Sequence, residues 1–305
     1  MEQLTDNLQT VGDLVRWGAS RLNAAGLHFG HGTDNAADES RALVFHVLSL
    51  DFQVPDYFYQ TRVTPAERNT AIRLIDRRIE EGCPAAYLTG ESWFAGLRFE
   101  VTPDVLVPRS PIAEMILNGF EPWCQPEKIK AVLDLGTGSG CIAIAIAAHL
   151  GAEVDAVDIS AAAVRIASRN VQLHGLKDSV QVIKSDLYRA LPEKKYDLIV
   201  SNPPYVSDAS MQCLPKEYRR EPKIALVAGA NGLSVIHRIL SQAADYLKSD
   251  GMLVVEAGEA AGALVTNYPD VPFEWAEFER GGDGVFVLAS DDLARLHTLI
   301  AEKRA

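Results

Sequence analysis

Ala131-Val132-Leu133-Asp134-Leu135-Gly136-Thr137-Gly138-Ser139-Gly140-Cys141-Ile142 begins as a short apolar run, breaks at alternating glycines, and resumes as an apolar stretch that continues to Leu150. The first part reads as a buried strand, the last as a helix, and the glycines as the turn between them. Glycine lets the backbone approach a ligand closely, and a helix N-terminus offers unpaired N–H groups to an anionic group. The spacing matches neither Gly-x-Gly-x-x-Gly nor a phosphate loop ending in Gly-Lys-Ser or Gly-Lys-Thr. By itself the segment is a nucleotide-type loop of unspecified ligand.

Working outward from it, strands are expected at 153–157, 180–184, 196–200 and 252–256, with helices at 141–150, 161–174 and 233–247. Such alternation implies a parallel sheet with right-handed crossovers. Residues 275–279 and 285–288, joined by 280–284, read as an antiparallel hairpin closing the sheet, followed by an amphipathic helix from Asp291 to about Lys303. Upstream, apolar residues at helical spacing predict helices at 11–25, 38–50 and 64–81. Thr64-Pro65-Ala66-Glu67 is a helix start with Thr64 as N-cap, and Gly26 and Gly82 are stops. Residues 29–35 read as a loop. Ser92-Trp93-Phe94 and Arg98-Phe99-Glu100-Val101 flank a turn at Ala95-Gly96, as in a hairpin, and a helix is expected at 112–118. The expected organisation is an N-terminal helical domain (1–85), a linking β-hairpin (86–111) and an α/β domain (112–305).

The 305 residues are 48% hydrophobic and 23% charged, with a net charge of −12. That balance disfavours a sequence-independent nucleic-acid binder, which displays a basic patch, and suits a basic protein partner. No window approaches about 18 uninterrupted apolar residues. The first residues lack a basic region followed by an apolar one, so the expectation is a cytoplasmic protein with no membrane association. Cys83, Cys124, Cys141 and Cys213 form no Cys-x-x-Cys pair, and His28 and His31 have no acidic or cysteine companions at ligand spacing. Neither a disulfide framework nor a metal site is expected.

Ligands of open α/β sheets bind at the carboxyl ends of the strands. There the second strand offers Asp158, able to accept both hydroxyls of a ribose and to repel a 2′-phosphate. The third offers Asp186, able to accept from an adenine amino group. The fourth runs into Asn202-Pro203-Pro204-Tyr205. Two prolines make this a stiff turn lacking two backbone donors, and Asn202 adds a donor and an acceptor. A rigid set of acceptors beside an aromatic ring suits a flat group carrying N–H bonds, such as an amide or an exocyclic amine.

The ordered set of strand-end residues resembles the class I S-adenosylmethionine-dependent methyltransferases over about residues 126–290. The resemblance implies a Rossmann-like, mostly parallel sheet and S-adenosylmethionine as cofactor. It assigns cofactor binding to Asp134, Gly136, Thr137, Gly138, Ser139, Gly140, Asp158, Ile159, Asp186, Leu187 and Asn202. Asn-Pro-Pro-Tyr is similar to the motif of amino-methyltransferases acting on adenine N6 or glutamine N5. The segments 84–90, 93–101 and Val107-Pro108-Arg109 resemble the protein glutamine methyltransferases, which join a helical N-terminal domain through such a hairpin. Release-factor enzymes of that family continue after Pro-Arg with Pro-Asp-Thr-Glu. This chain has Ser110-Pro111-Ile112-Ala113-Glu114 instead. That variant, with 214–219 and Gly281-Gly282-Asp283-Gly284-Val285-Phe286, is similar to the ribosomal-protein branch and implies the basic large-subunit protein L-three as substrate. The catalytic set expected on this basis is Asn202, Pro203, Pro204 and Tyr205. The Asn202 oxygen and the Pro203 carbonyl would accept the two N–H bonds of the substrate amide, Tyr205 would pack on that amide, and Pro204 would stiffen the turn. Trp93, Phe94 and Arg109 are candidate substrate-lining residues, with core or hairpin packing as the alternative for the two aromatics. The competing readings are the same chemistry on a release factor, adenine methylation of nucleic acid, and a ribosome-assembly factor without transfer activity.

Overall fold

A computed structural model of the chain describes residues 6–51, 53–279 and 281–302; the side chains of 297–302, together with Arg280 in the expected hairpin turn and Lys303 at the expected helix end, lie outside the described set. The chain divides into two compact units, residues 1–92 with 215–220 and residues 93–214 with 221–305.

The first unit is helical. Helices α1 (Val11–Ala24), α2 (Ala36–Leu48) and α3 (Pro65–Glu81) enclose a core of Leu14, Leu22, Leu43, Phe45 and Ile75. Thr64 caps α3 through the expected reciprocal box, its hydroxyl accepting from Glu67 N–H while the Glu67 carboxylate takes the Thr64 N–H. Gly82 ends the helix in the left-handed region at φ 58°.

Pro215–Arg220 belongs to this unit because a buried charge holds it there. Arg78, with no exposed side-chain area, donates Nε–H to Glu39 Oε1 at 2.6 Å and lies 3.6 Å from Glu217 Oε1. Glu217 also accepts the His28 N–H at 3.2 Å, and the rings of His28 and His31 pack on Tyr218. Arg220 donates to the Glu81 carbonyl at the end of α3. No spacing rule couples residues so distant along the chain.

The second unit is built on a seven-stranded sheet. Its members are β3 (Ala131–Leu135), β4 (Glu153–Asp158), β5 (Val180–Lys184), β6 (Tyr196–Ser201), β7 (Leu247–Glu256), β8 (Glu274–Trp275) and β9 (Val285–Ala289), in the order β5-β4-β3-β6-β7-β9-β8. The first five are mutually parallel, and β9 runs antiparallel to both β7 and β8. This mostly parallel sheet with an antiparallel pair at one edge is the sheet expected from the sequence. A separate two-stranded hairpin, β1 (Glu91–Phe94) and β2 (Leu97–Glu100), turns at Ala95 and Gly96, both at positive φ.

The inner parallel strands β3 and β6 are buried on both faces, which is why they read as apolar runs, whereas the edge strand β5 exposes Gln181 and Lys184. Val132, Val154, Leu198 and Val254 enter one core, and Leu133, Val157, Ile199 and Leu253 enter the other. Helix α4 (Cys141–Leu150) matches the expected bounds and α5 (Ala161–Leu173) ends one residue early. The helix expected at 233–247 is instead two short ones, α6 (Ser234–Leu240) and α7 (Ala243–Tyr246). Gln242 leaves helical geometry at φ −131°, and Leu247 is already the first residue of β7. The closing antiparallel pair forms as expected, but β8 is only two residues long.

Candidate functional site

The carboxyl ends of β3, β4, β5 and β6 line one pocket of ≈ 280 Å³, with the segment Asp104–Ser110 and Pro222, Ile224, Ala225 and Val227 as its further walls. The switch point of the sheet lies here, since β3 has β4 on one side and β6 on the other.

The floor is the glycine loop. Gly136 and Thr137 both donate their N–H to the Val157 carbonyl at 2.9 Å, so the loop is stitched to the end of β4. Gly136 and Gly138 take φ of 73° and 56°, and a Cβ on either would meet nothing within 4 Å. The backbone is therefore bare toward open space. Gly140 differs: a Cβ there would lie 3.2 Å from Ala167 and Ile144, so it serves helix packing and does not line the pocket. Asp134 is also absent from the wall. It is fully buried, and its Oδ2 accepts from the Thr137 hydroxyl at 2.6 Å and the Ala143 N–H at 3.2 Å, while Oδ1 has no partner among the described residues. Burial pushes its carboxyl up to about 7, against those two hydrogen bonds. Asp134 thus organises the loop from beneath. Asn170 of α5 does so from the side, donating to the carbonyls of Ser139 and Glu100 and accepting the Glu100 N–H.

Asp158 lines the pocket with Ile159, whose side chain is half exposed. Its Oδ2 accepts from Gly138 N–H at 2.9 Å and its Oδ1 from Ser160 N–H at 2.8 Å. Each oxygen keeps a second lone pair for a ligand hydroxyl. Desolvation raises its carboxyl above the usual range, opposed by those N–H groups. Asp186 and Leu187 also line the pocket, and Asp186 is paired at 2.7 Å with Arg238 of α6, another lining residue. Cys141 is present as well. Desolvation pushes its thiol up to about 12, so it is not a thiolate at neutral pH.

Asn202, Pro203 and Pro204 form the wall opposite, beyond β6, where Ser201 donates its hydroxyl to the Leu135 carbonyl at 2.7 Å. Asn202 donates its Nδ2–H to the Arg109 carbonyl at 3.4 Å, leaving Oδ1 as an acceptor. Tyr205 departs from expectation. It does not line the pocket; its hydroxyl donates to Glu256 Oε1 at 2.8 Å, and its ring lies where a Cβ on Gly258 would be, 2.5 Å away. Glu256 Oε2 accepts from the Ser110 hydroxyl at 2.5 Å. Burial raises the Glu256 carboxyl, while the Ser110 and Tyr205 hydrogen bonds and the Arg109 charge oppose it. Tyr205 therefore ties the proline turn to Glu256, and is not placed to stack on a ligand in this pocket.

Arg109 lines the pocket and makes a two-pronged pair with Glu221, at 2.7 and 2.6 Å. Trp93 and Phe94 do not line it: Phe94 is buried in the core and Trp93 is half exposed elsewhere. Arg238, Glu221, Glu256 and Asn170 were not singled out by the sequence. Glu256 carries a usable signal, being a carboxylate that ends a strand on the same rim. The other three carry none.

A family model described as the methyltransferase small domain matches residues 116–215. A Bordetella pertussis protein named ribosomal protein uL3 glutamine methyltransferase is 47% identical over 94% of this chain and 97% of its own length. A Xanthomonas campestris pv. campestris protein of the same name is 46% identical over 97% of this chain and 96% of its own length. This chain belongs to the uL3 glutamine methyltransferase family. Among solved structures, a Pyrococcus furiosus methyltransferase is similar over 64% of this chain and 89% of its own, at 18% identity and a TM-score of 0.47. Within the uL3 glutamine methyltransferase family frame, the pocket gathers Asn202, Arg109 and the glycine loop around one cavity. Among the described residues no group of three or more His, Cys, Asp or Glu is arranged to hold a metal ion, and no helix is long and apolar enough to cross a membrane.

Proposed function

We propose that this protein transfers a methyl group from S-adenosylmethionine to the side-chain amide nitrogen of a glutamine in ribosomal protein uL3. Kinship at 47% identity supports the choice of substrate. The observation that carries the chemistry is Asn202, whose amide hydrogen is taken by the Arg109 carbonyl so that Oδ1 is left to accept at the pocket wall.

The pocket fits the cofactor in three respects. Gly136 and Gly138 leave open space above a bare backbone, against which an amino-acid moiety can lie. Asp158, held by two N–H groups, retains lone pairs for the ribose hydroxyls, and the exposed Ile159 side chain beside it supplies an apolar face for a base. Asp186 offers an acceptor for an exocyclic amine, its carboxylate fixed by Arg238. When bound, S-adenosylmethionine supplies an electrophilic methyl on a sulfonium.

An amide nitrogen is a poor nucleophile because its lone pair is delocalised into the carbonyl, so orientation is the main requirement. Asn202 Oδ1 and the Pro203 carbonyl accept the two N–H bonds of the glutamine amide and favour the positive charge that develops on nitrogen. Pro203 and Pro204 keep these acceptors from relaxing, and Tyr205 anchors the turn through Glu256. The helical unit serves substrate recognition in this reading, consistent with the domain organisation expected from sequence.

The test is to incubate the protein with methyl-labelled S-adenosylmethionine, unmethylated uL3 and unmethylated release factors, then locate the label by mass spectrometry. Label on a uL3 glutamine is expected. Label on a release factor alone would overturn the substrate, and label removed by ribonuclease would overturn the chemistry.

A further inference from the structure

Glu221 belongs to none of the sequence motifs, yet it is among the most elaborately held groups beside the pocket. Its side chain has no exposed area. Oε1 accepts from Val107 N–H at 3.1 Å and from Arg109 Nη1 at 2.7 Å, and Oε2 accepts from Arg109 Nη2 at 2.6 Å. A buried carboxylate is tolerated only when paired and hydrogen-bonded in this way. One side chain therefore pins both ends of Val107-Pro108-Arg109.

The consequence falls on Asn202. The terminal torsion of asparagine is broad and nearly two-fold, so its own rotamer preference does not decide which end of the amide faces a ligand. An outside partner must decide it. Here that partner is the Arg109 carbonyl, 3.4 Å from Nδ2. A single bond of that length is weak. It can orient Asn202 only if the carbonyl cannot move, and the fork from Arg109 to Glu221 is what fixes the segment carrying it. Were the amide reversed, Asn202 would present N–H groups to the N–H groups of the substrate.

We propose that Glu221 is a positioning residue for methyl transfer, acting through Arg109 to hold Asn202 with its oxygen toward the substrate amide. The inference rests on the glutamine-methylating reading of Asn202. The test replaces Glu221 with its uncharged isostere, Glu221→Gln, and measures single-turnover methyl transfer at saturating uL3, cofactor Kd by calorimetry, and the Asn202 side-chain NH₂ signal in asparagine-labelled protein, assigned by its loss in Asn202→Ser. Expected are a slowing on the order of 10- to 100-fold, an unchanged cofactor Kd, a displaced Asn202 signal, and no additional slowing when Glu221→Gln is added to Asn202→Ser. Arg109→Lys keeps the cation but loses the fork, and should displace the same signal if Glu221→Gln folds poorly. An Asn202 signal unmoved in the folded variants, or rate losses that simply add in the double variant, would overturn the proposal. The Asn202 signal reports positioning whether or not uL3 is the substrate, so a wild-type enzyme inactive on uL3 overturns only the substrate.

Discussion

Two carboxylates on neighbouring strands, Asp134 and Asp158, illustrate how residue type alone underdetermines role. Asp158 faces the pocket and Asp134 is sealed beneath it. Asp158→Ala should weaken cofactor binding by about 1.5–3 kcal/mol, the loss of a hydrogen bond to a charged group, as read by calorimetry. Asn202→Ala should do the reverse, slowing transfer about 10²- to 10³-fold while cofactor affinity falls little. Wild-type turnover in the second variant would remove Asn202 from the mechanism. Asp134 makes a different prediction. Its carboxyl sits at about 7 in the fold against an ordinary 3.8, so between those values the native chain holds a proton that the unfolded chain has released. Stability contributed by this group is therefore full at low pH and lost as pH rises through about 7, by up to about 4 kcal/mol. Denaturant midpoints measured across that window should fall for the wild type relative to Asp134→Asn, which cannot ionise. A constant gap between the two would mean that Asp134 titrates as an ordinary carboxylate.

Among the elements, the long connection after β6 is the one whose structure departs most from a loop. Its start is locked by Tyr205 against Gly258 and Glu256, and residues 206–208 pair back with 226–229. Between those points Pro215–Arg220 joins the helical unit through Glu217. Glu217→Ala removes the buried carboxylate that faces the Arg78 guanidinium at 3.6 Å and accepts the His28 N–H. It should destabilise that unit by about 1–3 kcal/mol, seen as a lower melting temperature, and speed proteolytic cleavage within residues 207–222. Unchanged melting and cleavage would show that the rest of the segment holds itself in place.

For the whole molecule, the net charge of −12 favours encounter with a partner of opposite charge, the kind of protein substrate expected from the sequence. Raising salt from about 0.05 to 0.3 M should increase KM for uL3 several-fold through screening and leave kcat nearly unchanged. A salt-independent KM would mean that charge steering contributes nothing. The sequence by itself determined the parallel sheet, because strands buried on both faces must be written as apolar runs, and it determined the Thr64 helix start, because a capping box is a local contract among four residues. It also placed Asp158, Asp186 and Asn202 at one rim, since strand ends of a parallel sheet necessarily share an edge. Only the tertiary structure decided that Tyr205 turns away to Glu256, that Glu221 grips Arg109, that Asn170 braces the glycine loop, and that residues 215–220 belong with helices near the start of the chain. Each of these depends on a buried polar group finding its partner far along the chain. Such pairings follow from the need to satisfy every buried charge and N–H once the fold has closed, and no local pattern encodes them.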